Sequence, residues 1–350
     1  MCVTSDRPTL RVTDVAMKYR KILVPLDGSA LAERALHYAE TMARSQGAQV
    51  VLMRAVEAHV LPGRDTPGAQ RHVVDEADAY LSRWAERIAA ASGLDVETAV
   101  YYGTAERGIV EEVTLRGADL VVMSTHGRSG LGRFIMGSVA DHVLRNAPVP
   151  VMLVPAGCHH TWELPSSPEA GQASSAAAST GGAAAPRPFR MLVPLDGSRF
   201  AAEAIDALPR VAGPAETRVT LVSALELVPS LVYAAGMENQ MRDLESEAFA
   251  ARAYLEGEAS WPRVLASQVD VEVALGPAAQ SIAECARERN VDLVVMATHG
   301  RGGLSRIVLG SVATGLLHLL HCPLLLVRPV GVRELSEPAR QRPHLVAAGS

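Results

Sequence analysis

This chain repeats itself, and that limits what it can fold into more than any other feature. The run Leu23-Val-Pro-Leu-Asp-Gly-Ser29 returns as Leu192-Val-Pro-Leu-Asp-Gly-Ser198, 169 residues on. Ala118-Asp-Leu-Val-Val-Met123 returns as Val291-Asp-Leu-Val-Val-Met296, and Thr125-His-Gly-Arg128 as Thr298-His-Gly-Arg301, both 173 residues on. Met136-Gly-Ser-Val-Ala140 is answered by Leu309-Gly-Ser-Val-Ala313. A period this long means a duplicated domain, not a solenoid of short units. The two offsets differ by four residues, so one copy carries an insertion inside the unit.

A length of 350 residues suits two domains of ordinary size. The expected boundaries are 21–156 and 189–330, with an N-terminal extension over 1–20 and a polar, Pro-containing tail over 331–350. Between the copies, 157–188 is dominated by Ala, Ser, Thr, Gly and Pro. Such a composition buries little apolar surface and reads as a flexible linker.

Composition excludes several function classes. Hydrophobic residues make up 48% and charged residues 20%, which supports globular cores and rules out whole-chain disorder. The formal net charge of −5 argues against a nonspecific nucleic-acid binder, which needs a basic patch. Aromatics at 4% leave little for base-stacking platforms. Cys2, Cys158, Cys285 and Cys322 form no CxxC pair and no disulfide framework, which fits a reducing compartment. The first twenty residues hold no secretory apolar core. The most apolar stretch, Val312 to Val327, is broken by His318, His321 and Pro323 and falls short of the roughly 20 residues a spanning helix needs. The expectation is a cytoplasmic protein with no nucleic-acid or membrane partner.

Each copy reads as alternating strand and helix. In the first, strands are expected over Lys21–Leu26, Gln49–Val56, Val96–Tyr102, Asp119–Ser124 and Val149–Val154. Helices are expected after Ser29, which can cap one, and over Val73–Ala91, Ala105–Arg116 and Ser138–Arg145. Leu31, Ala35, Leu36, Ala39 and Met42 fall on one face of the first helix. Leu-Val-Val-Met at 120–123 is continuously apolar, as a strand buried on both faces must be. The pattern implies an α/β fold: two tandem doubly wound domains, each a parallel sheet with helices on both faces. Such sheets bind ligands beyond the carboxyl ends of their strands, at the switch point in strand order. Asp27-Gly28-Ser29, Gly103 and Thr125-His-Gly-Arg all follow strands.

The stretch Thr125-His-Gly-Arg-Ser-Gly-Leu-Gly-Arg-Phe-Ile-Met-Gly-Ser-Val139 carries the main chemical signal. Gly127, Gly130 and Gly132 let backbone amides approach an anion with no Cβ in the way. Gly137-Ser138 then opens a helix, whose N-terminus presents unpaired N–H donors and partial positive charge. Arg128 and Arg133 add cationic side chains, and the second copy repeats the arrangement from Thr298 to Val312. A polyphosphate cradle and a purely structural loop, with Ser138 and Ser311 as plain N-caps, both fit this pattern. GxxxxGK[ST] is absent, and no GxGxxG follows Leu26 or Leu195, so neither a P-loop nor a dinucleotide fingerprint is present.

Taken in order, these motifs resemble the universal stress protein family, twice over. The family's nucleotide motif is Gly, two residues, Gly, nine residues, then Gly followed by Ser or Thr. Here Ser124, Gly127 and Gly137-Ser138 match it in the first copy, and Ala297, Gly300 and Gly310-Ser311 in the second. Ser124 and Ala297 replace the first glycine. Val24-Pro-Leu-Asp27 and Val193-Pro-Leu-Asp196 match the strand-one motif, and Gly103 and Gly276 the glycine after strand three. The resemblance implies an adenine nucleotide alpha hydrolase-like fold with a five-stranded parallel sheet, and binding of ATP, with or without Mg2+. It places Pro25, Asp27 and Gly28 on the adenosine side, Gly103 at the border, and Gly127, Arg128, Gly130, Gly137, Ser138 and Val139 on the phosphates. The equivalents are Pro194, Asp196, Gly197, Gly276, Gly300, Arg301, Gly303, Gly310, Ser311 and Val312. Asp27 and Asp196 are equally suited to forming a turn before Gly-Ser.

The family's last strands pair across a dimer interface. In a tandem chain, Val149–Val154 and Pro323–Val327 would satisfy each other within one molecule, leaving further homodimerisation open. His126 and His299 flank the loops without the spacing of a nucleophile and its base. Cys158-His-His160 reads as a solvated loop, and His318 and His321 as capping or packing residues. Trp84 and Trp261 read as helix packing, and Cys285 and Cys322 as small buried hydrophobes. Three function classes stand: a nucleotide-binding regulatory protein, a slow ATP hydrolase or nucleotidyl transferase, and a ligand-free chaperone-like module.

Overall fold

A computed structural model describes residues 18–57, 67–125, 136–158, 162, 187–211, 217–226, 237–260, 262–298 and 309–328. The first half runs β1 (Lys21–Pro25), α1 (Ala30–Gln46), β2 (Gln49–Val56), α2 (Pro67–Ser92), β3 (Val96–Tyr102), α3 (Ala105–Arg116), β4 (Leu120–Ser124), α4 (Ser138–Asn146) and β5 (Val151–Val154). The second runs β6 (Phe189–Pro194), α5 (Arg199–Ala202), a 3-10 segment (Glu203–Arg210), β7 (Thr217–Leu225), α6 (Met237–Glu258), α7 (Pro262–Leu265), β8 (Gln268–Leu275), α8 (Ala278–Glu288), β9 (Leu293–Ala297), α9 (Ser311–Leu319) and β10 (Leu324–Val327).

The strands form one ten-stranded sheet in the order β3-β2-β1-β4-β5-β10-β9-β6-β7-β8. Within each half every pairing is parallel. Only β5 and β10 run antiparallel, with Leu324 opposite Leu153, Leu325 opposite Met152 and Leu326 opposite Val151. The sticky last strands therefore cover each other inside one chain, as the tandem arrangement predicts. Both are shorter than expected because Pro150 and Pro323, which lack an N–H, stand just outside them. Their carbonyls still accept from Val121 and Val294.

Sheet register locates the insertion. Val50 pairs with Val96, and Val219 with Val269. The first members of these pairs are 169 residues apart and the second members 173. The four extra residues thus lie in the crossover between the second and third strands of each half. That crossover holds α2 in one copy and α6 with α7 in the other.

Two cores flank the sheet because successive strand residues point to opposite faces. Ile22, Val24, Leu52 and Val122 pack on one side with Ala35, Leu36 and Met42 of α1. Leu23, Val51, Val121 and Met123 pack on the other with Ile109 of α3 and Val143 of α4. Both cores continue across β5 and β10 into the second half, which is why the central strands read as unbroken apolar runs.

The first helix differs between copies. In the first, the Ser29 hydroxyl accepts from the Ala32 amide at 3.1 Å, and Gly47, at φ +70°, closes a 17-residue helix. In the second, Ser198 makes the same cap, but α5 lasts four residues and tightens into the 3-10 segment. Pro209 lies inside that segment. Its missing N–H and its ring oppose a regular α-helical ladder there.

The expected flexible linker is pinned at both of its described ends. Cys158 and Trp162 are buried. The Trp162 ring stands edge-on to Tyr38 of the first half, 5.0 Å between centroids, and to Phe189 of the second, at 5.3 Å. Arg187 donates twice to the Asp292 carboxylate, at 2.9 and 2.6 Å. The reading of 157–188 as free of apolar burial fails at Trp162, because one large aromatic finds a slot that both domains build. Cys158 also corrects its solvated-loop reading: its Sγ lies 2.8 Å from the Tyr38 hydroxyl. His159 and His160 lie outside the described residues. Arg328, itself buried, donates to the carbonyls of Leu144 and Arg145 at the end of α4, tying the halves together again. Among the described residues, no helix is long and apolar enough to cross a membrane.

Candidate functional site

In each half the chain moves outward from the first strand to the third, then returns to the fourth beside the first. The switch point lies between β1 and β4, and between β6 and β9. Crevices form at such points because the flanking connections leave to opposite faces.

The turn after β1 is built by Asp27. Its Oδ1 accepts from the Ser29 amide at 2.9 Å, and Gly28 adopts φ +84°, where only glycine sits without strain. Asp196 and Gly197 repeat this, with the Ser198 amide 2.9 Å from Asp196 Oδ1 and φ +81° at the glycine. The turn-forming role of both aspartates is therefore present. It also aims Asp27 at the crevice, where it lines a cavity of about 300 Å³.

Thr125 closes the other side. Its amide donates to Val154 at 3.2 Å and its carbonyl accepts from Gly137 at 3.0 Å, so both ends of the glycine loop are held together. Residues 126–135 lie outside the described residues, and with them Gly127, Arg128, Gly130 and His126. Gly300, Arg301, Gly303 and His299 fall outside in the same way.

Gly137 and Gly310 are the N-caps of α4 and α9, and neither makes a side-chain cap. Ser138 and Ser311 occupy the first helical position instead, which corrects their reading as plain N-caps. The glycines have ordinary φ values of −61° and −59°, so backbone strain does not require them. A Cβ at Gly310 would meet no protein atom within 4 Å. Ser, Thr, Asp or Asn would normally take this position and satisfy the first-turn amides. Glycine supplies no side-chain acceptor for those donors. A phosphate has the charge and geometry to fill that place.

The cavity joins these parts. Pro25, Asp27, Gly137, Ser138 and Val139 line it, while Gly28 and Gly103 lie outside its lining, in the turns after β1 and β3. Gly103 holds φ +141°, and its amide donates to Val56 at 2.9 Å. Gly276 does the same with Leu225 at φ +125°. The remaining wall was not singled out from sequence: Leu26, Ala32, Met53, Ala55, Ala105, Ile109, Met123, Ser124, Thr125 and Ala140. Most of these resemble core residues in a sequence, and only their place at strand and helix ends marks them. Carried through the repeat, thirteen of the fifteen lining positions are identical in the second half. The exceptions are Val222 for Met53 and Ala297 for Ser124.

The cavity's lining combines apolar side chains, Met53, Ala55, Ile109 and Met123, with the first residues of α4, including the Ser138 hydroxyl. The volume falls at the lower end of small-molecule sites. At the polar rim, the Ser138 hydroxyl lies 3.3 Å from Glu106 Oε1.

The family model for universal stress proteins matches this chain twice, over residues 18–155 and 189–328. The chain belongs to the universal stress protein family. A universal stress protein of Methanocaldococcus jannaschii is 31% identical over 139 residues, covering 39% of this chain and 82% of that protein. Two solved structures span both domains. One is a universal stress protein of Archaeoglobus fulgidus, at TM-score 0.57 and 17% identity, covering 90% of this chain and 98% of the other. The second, from Pseudomonas aeruginosa, has TM-score 0.54 and 17% identity, covering 92% and 96%. These likenesses show the α/β fold, a mostly parallel sheet with helices on both faces, for this tandem universal stress protein.

The other expectations sort by burial. Cys285 and Cys322 are buried, as small hydrophobes would be. Trp84, on α2, packs toward α1, its indole N–H donating to Glu33 at 3.3 Å. Trp261 lies outside the described residues. His318 sits in the last turn of α9.

Proposed function

We propose that this universal stress protein binds adenine nucleotide, with ATP as the principal ligand, at one site in each domain (21–156 and 189–330). Occupancy is read by a partner as a regulatory signal. The observation that carries this reading is the glycine N-cap at the switch point, present in both halves and in the first lining a cavity with Asp27 and Ser138.

The amides of Ser138 and Val139, with the Ser138 hydroxyl, would hold phosphate, and Ser311 with Val312 would do so in the second domain. Asp27 and Asp196 would accept from ribose hydroxyls. Gly127, Arg128, Gly130, Gly300, Arg301 and Gly303 would complete the phosphate side. Mg2+ arriving with ATP would neutralise phosphate charge. Regulation requires that ATP bind one arrangement of the loops better than another, since only differential affinity shifts a population.

The test is to purify the chain from its host, denature it and assay released nucleotide by chromatography. ATP is expected from the native chain and is lost in the Gly137→Glu/Gly310→Glu double variant. No nucleotide in any preparation, with no thermal shift on adding ATP, overturns the reading.

A further inference from the structure

The two sites differ at a charged position beside the first turn of α4. Glu106 lies in the first turn of α3, and its Oε1 accepts from the Ser138 hydroxyl at 3.3 Å. Ser138 is the first residue of α4. The carboxylate therefore stands where two helix N-termini meet, a place whose dipoles favour an anion. In the second domain the repeat puts Ala279 at this position. Neither α8 nor α9 has an acidic residue in its first turn.

Arg107, whose counterpart in the repeat is Gln280, is held by Glu111 at 2.7 Å rather than by Glu106. Glu226 accepts from the Ala278 amide at 3.0 Å, but Glu57 holds the matching place in the first repeat. Asp141 in α4 is tied up by Arg145 at 2.7 and 2.8 Å. The arginines of the two glycine stretches, Arg128 and Arg133 against Arg301 and Arg306, match in number and position.

We infer that Glu106 makes the two nucleotide sites unequal. It acts as a resident anion at the first site, so that ATP binds the first domain more weakly, and with greater dependence on a divalent cation, than the second. This rests on the nucleotide reading above. Like charges at close range repel, and a polyphosphate brings several negative charges to the carboxylate. A divalent cation on the phosphates shields that repulsion. The second domain has Ala279 in place of Glu106 and gains less from the cation.

The experiment is calorimetric titration of the full chain with ATP, in EDTA and again in excess Mg2+. Gly310→Glu leaves the first site to be read alone, and Gly137→Glu the second. In EDTA the first site is expected to bind about three- to tenfold more weakly than the second. Glu106→Gln in the Gly310→Glu chain recovers that factor, Ala279→Glu in the Gly137→Glu chain loses it, and Mg2+ narrows the gap. If a blocking variant fails to fold, Glu106→Gln in the otherwise native chain carries the test, by merging a two-step isotherm into one. Equal sites in EDTA, or a Glu106→Gln chain that binds ATP as the native chain does, overturn the inference alone. A native chain that takes up no ATP in either buffer overturns the nucleotide reading with it.

Discussion

The indole N–H of Trp162 donates to the backbone carbonyl of Asp292 at 2.8 Å, joining the start of the interdomain connection to the second domain. The carboxylate of the same Asp292 takes both Arg187 bonds from the end of that connection. One residue thus gathers both ends of a segment whose composition promised no structure.

Trp162 is expected to behave as a core residue. Replacing a buried Trp by Ala removes its contacts and leaves a cavity, at about 3–5 kcal/mol. Trp162→Phe keeps an aromatic ring but leaves the Asp292 carbonyl without its donor, at about 1–3 kcal/mol. Urea unfolding midpoints check both. An alanine variant as stable as the native chain would show the slot to be incidental.

Stability should fall on mild acidification because of His37. The Trp162 amide donates to His37 Nε2 at 3.0 Å, which requires a neutral ring. Burial lowers the His37 pKa from its ordinary 6.5, with Glu40 opposing. Below about 6.5 the unfolded chain binds the proton more readily than the folded one. Stability is therefore complete above that value and is lost as the pH falls through it toward the lowered folded value. His37→Gln, whose amide oxygen can still accept, flattens this slope. Melting temperatures between about pH 5 and 8 compare the two chains.

The buried cysteines should be inert. Burial and the neighbouring Glu272 push the Cys285 thiol up to about 12, and burial raises Cys322 as well. The thiolate is the reactive form, so near neutral pH both are shielded chemically as well as sterically. Cys158 is covered by Tyr38. Alkylation followed by peptide mass spectrometry should show these three labelled at the rate of unfolding. Fast labelling of Cys285 in the native chain would contradict this.

Tyr101 and Gly108 form a size-matched pair. A Cβ at Gly108 would come within 2.5 Å of the Tyr101 ring and 2.9 Å of the Met53 methyl group. The repeat places Ala274 and Ser281 at these positions, so the second domain has traded bulk from one partner to the other. Gly108→Ser alone is expected to cost about 1–3 kcal/mol through overpacking. Adding Tyr101→Ala should recover part of that cost. A double-mutant cycle in urea reads the coupling, and strict additivity would sink the idea.

Much of the architecture was legible locally. Gln49–Val56, Val96–Tyr102 and Ala105–Arg116 have the bounds their patterns imply. Strand periodicity, the capping serines and the C-terminal glycines act over a few residues, so a linear reading captures them. Of the ten residues singled out in the first copy, five, Pro25, Asp27, Gly137, Ser138 and Val139, meet at one cavity, where the rule that ligands sit at strand carboxyl ends puts them. Its apolar wall did not stand out, because Met53, Ala55 and Ile109 come from separate elements and look like core.

The sequence by itself determined the duplication, the order of strands and helices, and the glycine and aspartate turns at the strand ends. Each depends on short-range backbone preferences and apolar periodicity. Tertiary structure alone decided the antiparallel register of β5 on β10, that Trp162 is buried between domains, and that Glu106 reaches Ser138. Those contacts join residues far apart in the chain, where burial and charge depend on what the rest of the fold brings alongside.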